Sequence, residues 1–254
     1  MELEPFDPVA FEQAAGAAPW VRRVICLAET DSTNAEALRL AASGEPEGCV
    51  VVADAQTAGR GRLHRSWWSE PGRSLLTSWL VRPALPVERW PTLTLVAGLA
   101  AARALIAAAG VEVRLKWPND LLVGGRKLGG LLAEADGRGA LVVGLGVNVR
   151  QTEFPPELTG LATSVVLEVG RPVERAWLLA ATLSGFGARM GAPEETLDEY
   201  RTLCETLGKR VRVERAGVEP LEGVARDLSA SGALVVDSDG KIVEISAGDV
   251  VHLR

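Results

Sequence analysis

The feature that most constrains the fold is an abrupt change of hydrophobic period at residue 110. Residues 94–109 form an Ala-rich apolar stretch closed by Gly110, which reads as a helix with a glycine stop. Immediately afterwards Val111, Val113, Leu115 and Trp117 alternate with Glu112, Arg114 and Lys116, a period of two that ends at Pro118. Arg103 interrupts the apolar run from 93 to 109, so it reads as a core helix and not as a membrane span. A buried helix followed by half-buried strands requires a sheet for the helix to cover, hence an α+β architecture. Other segments agree. Residues 48–53 and 74–81 read as strands; 121–123 and 127–134 flank a Gly124-Gly125-Arg126 turn, a hairpin signal; 140–149 reads as a strand containing Gly144 and Gly146. Thr33 with Glu36 is a capping-box pattern opening a helix that stops near Gly44. Helices are expected over 173–190 and 194–207.

Gly208 marks a change of character. Beyond it lie only short strand-like pieces at 210–214, 221–227, 233–236, 241–246 and 249–253, with an Asp237-Ser238-Asp239-Gly240 turn. About five short strands in so little chain predict a small SH3-like barrel. The expected division is therefore a larger domain over 1–207 and a β domain over 208–254.

Composition excludes broad classes without naming a function. With 27 basic and 33 acidic residues the formal charge is −6, a poor match for a general nucleic-acid or membrane-surface binder. Cys26, Cys49 and Cys204 are scattered and odd in number, and Met1-Glu2-Leu3-Glu4 has no secretion-signal character, so reduced thiols in the cytoplasm are expected. Two histidines and no close Cys pair argue against structural zinc. No G-x-S-x-G elbow, P-loop or complete dinucleotide fingerprint is present.

Against that background residues 56–67 stand out. No carboxylate occurs between Asp54 and Glu70, while Arg60, Arg62 and Arg65 fall there together with Gly59, Gly61 and Trp67. Arginine forks match carboxylate and phosphate oxygens, glycines let the backbone approach a ligand, and an indole can wall a site. Taken alone, the stretch fits equally a solvated loop with Trp67 tucked into the core. A second cluster, Lys116-Trp117-Pro118-Asn119-Asp120 with Arg126-Lys127-Leu128-Gly129-Gly130, offers cations, an amide and a carboxylate on neighbouring strands. Such groups can stabilise transferring phosphates or hold Mg²⁺; equally, Asn119-Asp120 can be a turn and the lysines solvent-facing.

The order of these elements resembles a known family. Glu29-Thr30-Asp31-Ser32-Thr33-Asn34, Gln56-Thr57-Ala58-Gly59-Arg60-Gly61-Arg62 with Arg65 and Trp67, the 116–120 and 126–130 runs, and Gly144-Leu145-Gly146-Val147-Asn148 are similar to successive motifs of biotin–protein ligases. The resemblance implies a mixed-sheet catalytic domain of the biotin/lipoate ligase type followed by the SH3-like barrel. It implies a reaction as well: MgATP and biotin form biotinyl-5′-AMP, and the biotinyl group passes to a lysine of a biotin carboxyl carrier domain.

Carried over by motif, Ser32, Thr33, Asn34, Gln56, Gly59, Arg60, Gly61, Arg62, Lys127 and Gly130 would bind biotin. Arg62, Arg65, Trp67, Lys116, Asn119, Asp120 and Asn148 would bind ATP, with Asp120 a candidate Mg²⁺ ligand. Lys127 and Arg62 would be catalytic. His64 stands where the family's loop commonly has glycine, which narrows the backbone choices there. Only 28 residues precede Glu29, too few for a winged DNA-binding domain, so no DNA partner is expected, and either a monomer or a homodimer is compatible. Rival readings are a lipoate or octanoate ligase or transferase, a non-catalytic biotin-binding protein, and a scaffold for the carrier.

Overall fold

The computed structural model describes residues 4–215 and 217–253. Seven strands form a mixed sheet: β1 (Arg23–Thr30), β2 (Cys49–Gln56), β3 (Ser74–Val81), β4 (Arg114–Lys116), β5 (Asp120–Val123), β6 (Arg126–Ala135) and β7 (Leu141–Asn148). Their order is β1-β2-β3-β7-β6-β5-β4. Only β1 and β2 are parallel; every other pair is antiparallel. The parallel pair needs a crossover, which α2 (Thr33–Ala42) supplies after α1 (Pro8–Ala14).

Helices on both faces explain why the central strands are apolar throughout. On one face α3 (Trp90–Ala109) and, after α4 (Val165–Val169), α5 (Arg175–Gly187) cover Val50, Val52, Leu75, Trp79, Val143 and Leu145. On the other, α2 sets Ala37 and Ala41 against Val51, Leu80 and Val142. By length and composition α3 could cross a bilayer, yet it is the core helix here, with Leu93, Leu99 and Leu105 at most 1% exposed. Each such side chain contributes about 1.5–3 kcal/mol by leaving water.

Several expectations shift in detail. Helix α3 begins four residues before 94, because Pro91 suits a first turn that needs no amide donor. The alternation at 111–117 orders burial as expected, since Val111, Val113, Leu115 and Trp117 are all buried, but only three residues pair as strand β4. The hairpin turn is Gly124-Gly125, both with positive φ (56° and 76°), which is the geometry of a two-residue primed turn. The capping box does not form. Ser32 is the N-cap and makes no side-chain cap bond, Thr33 is already helical and donates to Gln56, and Glu36 pairs with Arg39. Helix α5 and α6 (Leu197–Leu203) are shorter than the expected 173–190 and 194–207.

The last strands are β8 (Arg210–Arg215), β9 (Val218–Leu228), β10 (Leu234–Ser238), β11 (Lys241–Ile245) and β12 (Asp249–His252). They form an antiparallel sheet in the order β11-β10-β9-β8-β12. Among the described residues no ladder joins β11 to β12, so the SH3-like unit is open at that seam. This sheet is bonded to the first: Trp117 donates its amide to Thr206 Oγ1 (3.0 Å) and its indole N–H to Gly232 O (3.0 Å).

Thr206 Oγ1, which accepts from Trp117, lies 3.1 Å from His252 Nε2, and Lys209 Nζ lies 3.5 Å from the other ring nitrogen. Burial, Lys209 and Lys116 lower the His252 pKa to about 4. A base whose folded pKa lies below its unfolded value is stabilising above the unfolded pKa, and that stability is lost as pH falls through the window from about 6.5 to 4. Discounted for its partial exposure, about 1 kcal/mol should disappear between pH 7 and pH 4.5. Denaturant titrations should show a steeper acid loss in the wild type than in His252→Gln. Equal losses would remove His252 from the account.

Candidate active site

A cleft of about 260 Å³ lies on the α2 face of the large sheet. Its floor follows from strand geometry. Alternate residues of β7 point to one face, so Val142, Gly144, Gly146 and Asn148 share it. Val142 packs under α2, and the two glycines then leave open space. That space is occupied from above. A Cβ on Gly144 would fall 2.0 Å from Asn34 Oδ1, and one on Gly146 would fall 2.7 Å from the Trp67 indole. The β7 glycines are therefore places where polar and aromatic side chains rest directly on the sheet.

At one end of the cleft Ser32, Thr33, Asn34 and Gln56 come together, at the ends of β1 and β2. Gln56 Oε1 accepts from the Thr33 amide (2.7 Å), with the Thr33 hydroxyl oxygen 3.1 Å away. Asn34 is 4% exposed and accepts from the Ser78 hydroxyl (2.6 Å). Asp31 holds the β1–α2 turn: it accepts from the Ser32 amide (2.7 Å) and is gripped by Arg39. These bonds to Arg39 and Ser32 hold the Asp31 carboxyl well below the usual range.

The Gly/Arg stretch is an ordered miniature hairpin and not a merely solvated loop. Gly61 N bonds Arg65 O (2.7 Å), Trp67 N bonds Gly59 O (2.9 Å), and the left-handed bend falls on Leu63 (φ 53°). The side chain of His64, the residue that departs from the family's common glycine, lies outside the described residues. Each arginine has an acceptor brought from far along the chain. Arg60 pairs with Glu134 (3.0 Å), Arg62 donates to Asn119 Oδ1 (3.3 Å) and Gly248 O (3.0 Å), and Arg65 pairs with Asp249. Burial pulls the Arg62 pKa down, opposed by Asp249 and Asp120.

Lys127 reaches the cleft from β6. Its Nζ is 2.7 Å from Asp120 Oδ1 and 5.7 Å from the centroid of the Trp67 ring. Gly130 leaves room for it, since a Cβ there would meet Lys127 Cε at 3.1 Å. Asn148 lines the far end and donates to Thr163 O (3.0 Å). Arg60, Gly61, Arg62, Arg65, Trp67, Asn119, Asp120, Lys127 and Gly130 all line the same cleft.

Two expected residues do not. Gly59 serves loop closure, because a Cβ there would press on Trp67 O at 2.6 Å. Lys116 lies where its charge acts on His252. The sequence reading missed Ser78, Glu134 and Asp249, and the apolar wall of Trp68, Phe154, Leu158 and Leu161. Lys127 anchors that wall: its amide donates to Leu161 O (2.8 Å) and its carbonyl accepts from Thr163 N (2.9 Å). No described group of three or more His, Cys, Asp or Glu side chains could hold a resident metal. Asp120 and Asp249 are the carboxylates of the cleft, and each faces a cation.

Residues 26–149 match the Biotin/lipoate A/B protein ligase family, and residues 206–253 match the Biotin protein ligase C terminal domain. The chain is 41% identical over 253 residues to the biotin–[acetyl-CoA-carboxylase] ligase of Mycobacterium tuberculosis, an alignment covering 96% of this chain and 94% of that one. It superposes on a biotin protein ligase from Aquifex aeolicus in complex with biotin and ATP with a TM-score of 0.81 and 31% identity, over 92% of this chain and 99% of the other. A Leishmania major biotin protein ligase in complex with biotinyl-5-AMP gives a TM-score of 0.64 and 27% identity, over 89% and 99%.

Proposed function

The chain belongs to the biotin/lipoate A/B protein ligase family, and on that footing we propose that it activates biotin with MgATP and transfers it to a lysine of a biotin carboxyl carrier domain. The observation that carries this reading is the cleft itself, which joins an amide-and-hydroxyl pocket (Ser32, Thr33, Gln56) to a cation cluster (Arg62, Arg65, Lys127). The first suits a ureido ring, which offers two N–H donors and one carbonyl acceptor. The second suits a carboxylate and a triphosphate meeting at close range.

In the first step a biotin carboxylate oxygen forms a bond to the α-phosphorus while the bond to the bridging oxygen of the β-phosphate breaks, releasing pyrophosphate. Negative charge converges, and Lys127 is the cation that stabilises it, with Arg62 beside it in both half-reactions. The Lys127–Asp120 pair keeps the ammonium aimed before substrates arrive. Mg²⁺ enters as part of its triphosphate substrate, and Asp120 is the protein oxygen donor offered to it; Mg²⁺ needs few protein ligands when phosphates supply the rest.

In the second step the neutral carrier lysine amine attacks the acyl carbonyl, AMP leaves, and the amine proton departs to solvent. Arg65, Asn119 and Asn148 line the nucleotide side, with Trp67 as wall. The hairpin at 59–67 excludes water from the reactive acyl-adenylate. The β1 edge, which no strand pairs on its outer side among the described residues, offers backbone groups for a carrier or a second copy.

Biotin-dependent ATP–pyrophosphate exchange tests this reading. Exchange is expected with biotin and not with lipoate. Exchange with lipoate alone would transfer the reading to a lipoate ligase, and none with either would leave only a binder.

A further inference from the structure

We propose that Glu134 is a positioning residue that ties the arginine hairpin to the biotin head pocket, so that loop order and head-group recognition are one event. The proposal rests on the ligase reading above and assigns a residue outside the motifs that carried it. Glu134 lies on β6, and its Oε2 accepts from two donors on different elements: Asn34 Nδ2 at 2.7 Å and Arg60 Nη2 at 3.0 Å.

An ionised carboxylate only accepts, so Glu134 fixes which end of the Asn34 amide faces it. The second Nδ2 proton goes to Leu132 O (3.0 Å), which uses both donors and leaves Oδ1 directed at Ser78. The Ser78 oxygen also lies 2.8 Å from Thr33 Oγ1, a contact that the Thr33 hydroxyl proton fills, while the Thr33 amide donates to Gln56 (2.7 Å). A continuous path of hydrogen-bonding groups thus runs from Arg60 at the rim to Thr33 and Gln56 in the pocket. Gly144 is what admits Asn34 to its place in it.

Without the carboxylate, a buried Asn34 proton loses its acceptor and the amide is free to turn. Its donor end would then meet Ser78, and the polarity presented to Thr33 and Gln56 would no longer be fixed. Arg60 would at the same time lose its hold on the sheet. Binding of the head group should suffer most, because Arg62, Arg65 and Lys127 keep acceptors of their own in Asn119, Gly248, Asp249 and Asp120.

The experiment is steady-state exchange with the full chain and its Glu134→Ala, Glu134→Gln, Arg60→Ala and Glu134→Ala/Arg60→Ala variants, with thermal melts alongside. For Glu134→Ala the KM for biotin should rise about tenfold while kcat at saturating biotin changes less than about twofold and the KM for ATP is unaltered. Glu134→Gln keeps a neutral acceptor oxygen and should recover biotin KM to within about threefold of wild type. The double variant should be no worse than Glu134→Ala alone, because one oxygen serves both donors.

An unchanged biotin KM in Glu134→Ala would overturn the proposal. So would strictly additive effects with Arg60→Ala, or a joint change of kcat and both KM values that tracks a lower melting temperature. If Glu134→Ala does not fold, Glu134→Gln carries the test: a small rise in biotin KM at constant ATP KM supports the proposal, and equal changes in both overturn it. A wild-type chain that shows no biotin-dependent exchange would instead retire the ligase reading.

Discussion

Lys127→Ala should slow biotin-dependent ATP–pyrophosphate exchange by about two to three orders of magnitude, the usual consequence of removing a preorganised group that meets developing charge. The ammonium sits 2.7 Å from Asp120 and over the Trp67 ring, so it is aimed before any ligand arrives. Its side chain is 39% exposed, and the loss should therefore leave the melting temperature nearly unchanged. The deficit should appear mainly in kcat, since the charge it meets is greatest when the carboxylate and phosphate converge. Arginine should recover only part of it, because a planar fork cannot occupy the compact position of an ammonium beside Asp120. Exchange within tenfold of wild type would take Lys127 out of the catalytic role.

The largest stability effect is expected at Arg175, far from the reacting atoms. Its side chain is 4% exposed; Nη1 bonds Asp54 Oδ1 (2.8 Å) and Ser74 O (3.2 Å), and Nη2 bonds Glu4 O (2.5 Å). Asp54 in turn accepts from the Phe6 amide (3.0 Å), so one guanidinium joins α5, the end of β2 and the N-terminal segment. Arg175→Ala strands the Asp54 charge, at a cost of about 3–5 kcal/mol and roughly 10 °C in melting temperature for a chain of this size. Combining Asp54→Asn with Arg175→Met should be milder than Arg175→Ala, because no buried charge is left unpaired. The exposed pair Arg114–Glu112 (43% and 79% exposed) is the contrast: breaking it should change stability by less than about 0.5 kcal/mol. Comparable losses at the two sites would contradict the distinction.

What the sequence made legible and what it concealed have separable physical causes. The glycine-stopped helix, the Gly-Gly hairpin and the five short C-terminal strands are local in origin, set by period, turn chemistry and φ, and a single chain displays them. The cleft residues in the loop and on β5–β6 were readable because their motifs are contiguous.

Strand β1 was overlooked because it is an edge strand whose burial is partial along its length, so it has no clean alternation. Glu134 and Asp249 carry no local mark, since they meet Arg60 and Arg65 across 74 and 184 residues of chain. The same separation along the chain hides the partners of the arginines. Residues 55–69 contain no carboxylate, yet the fold brings one to Arg60 and another to Arg65. Lys116 is the opposite case, a motif residue outside the lining of the cleft.

The most direct test of the whole account is transfer itself: the chain, MgATP, biotin and a purified biotin carboxyl carrier domain, followed by intact mass. The account predicts that one lysine of the carrier gains a single biotinyl group, that the gain needs ATP, and that Lys127→Ala abolishes it on the same time scale. A carrier left unmodified while biotin-dependent exchange proceeds, or one modified equally well with lipoate, would contradict it.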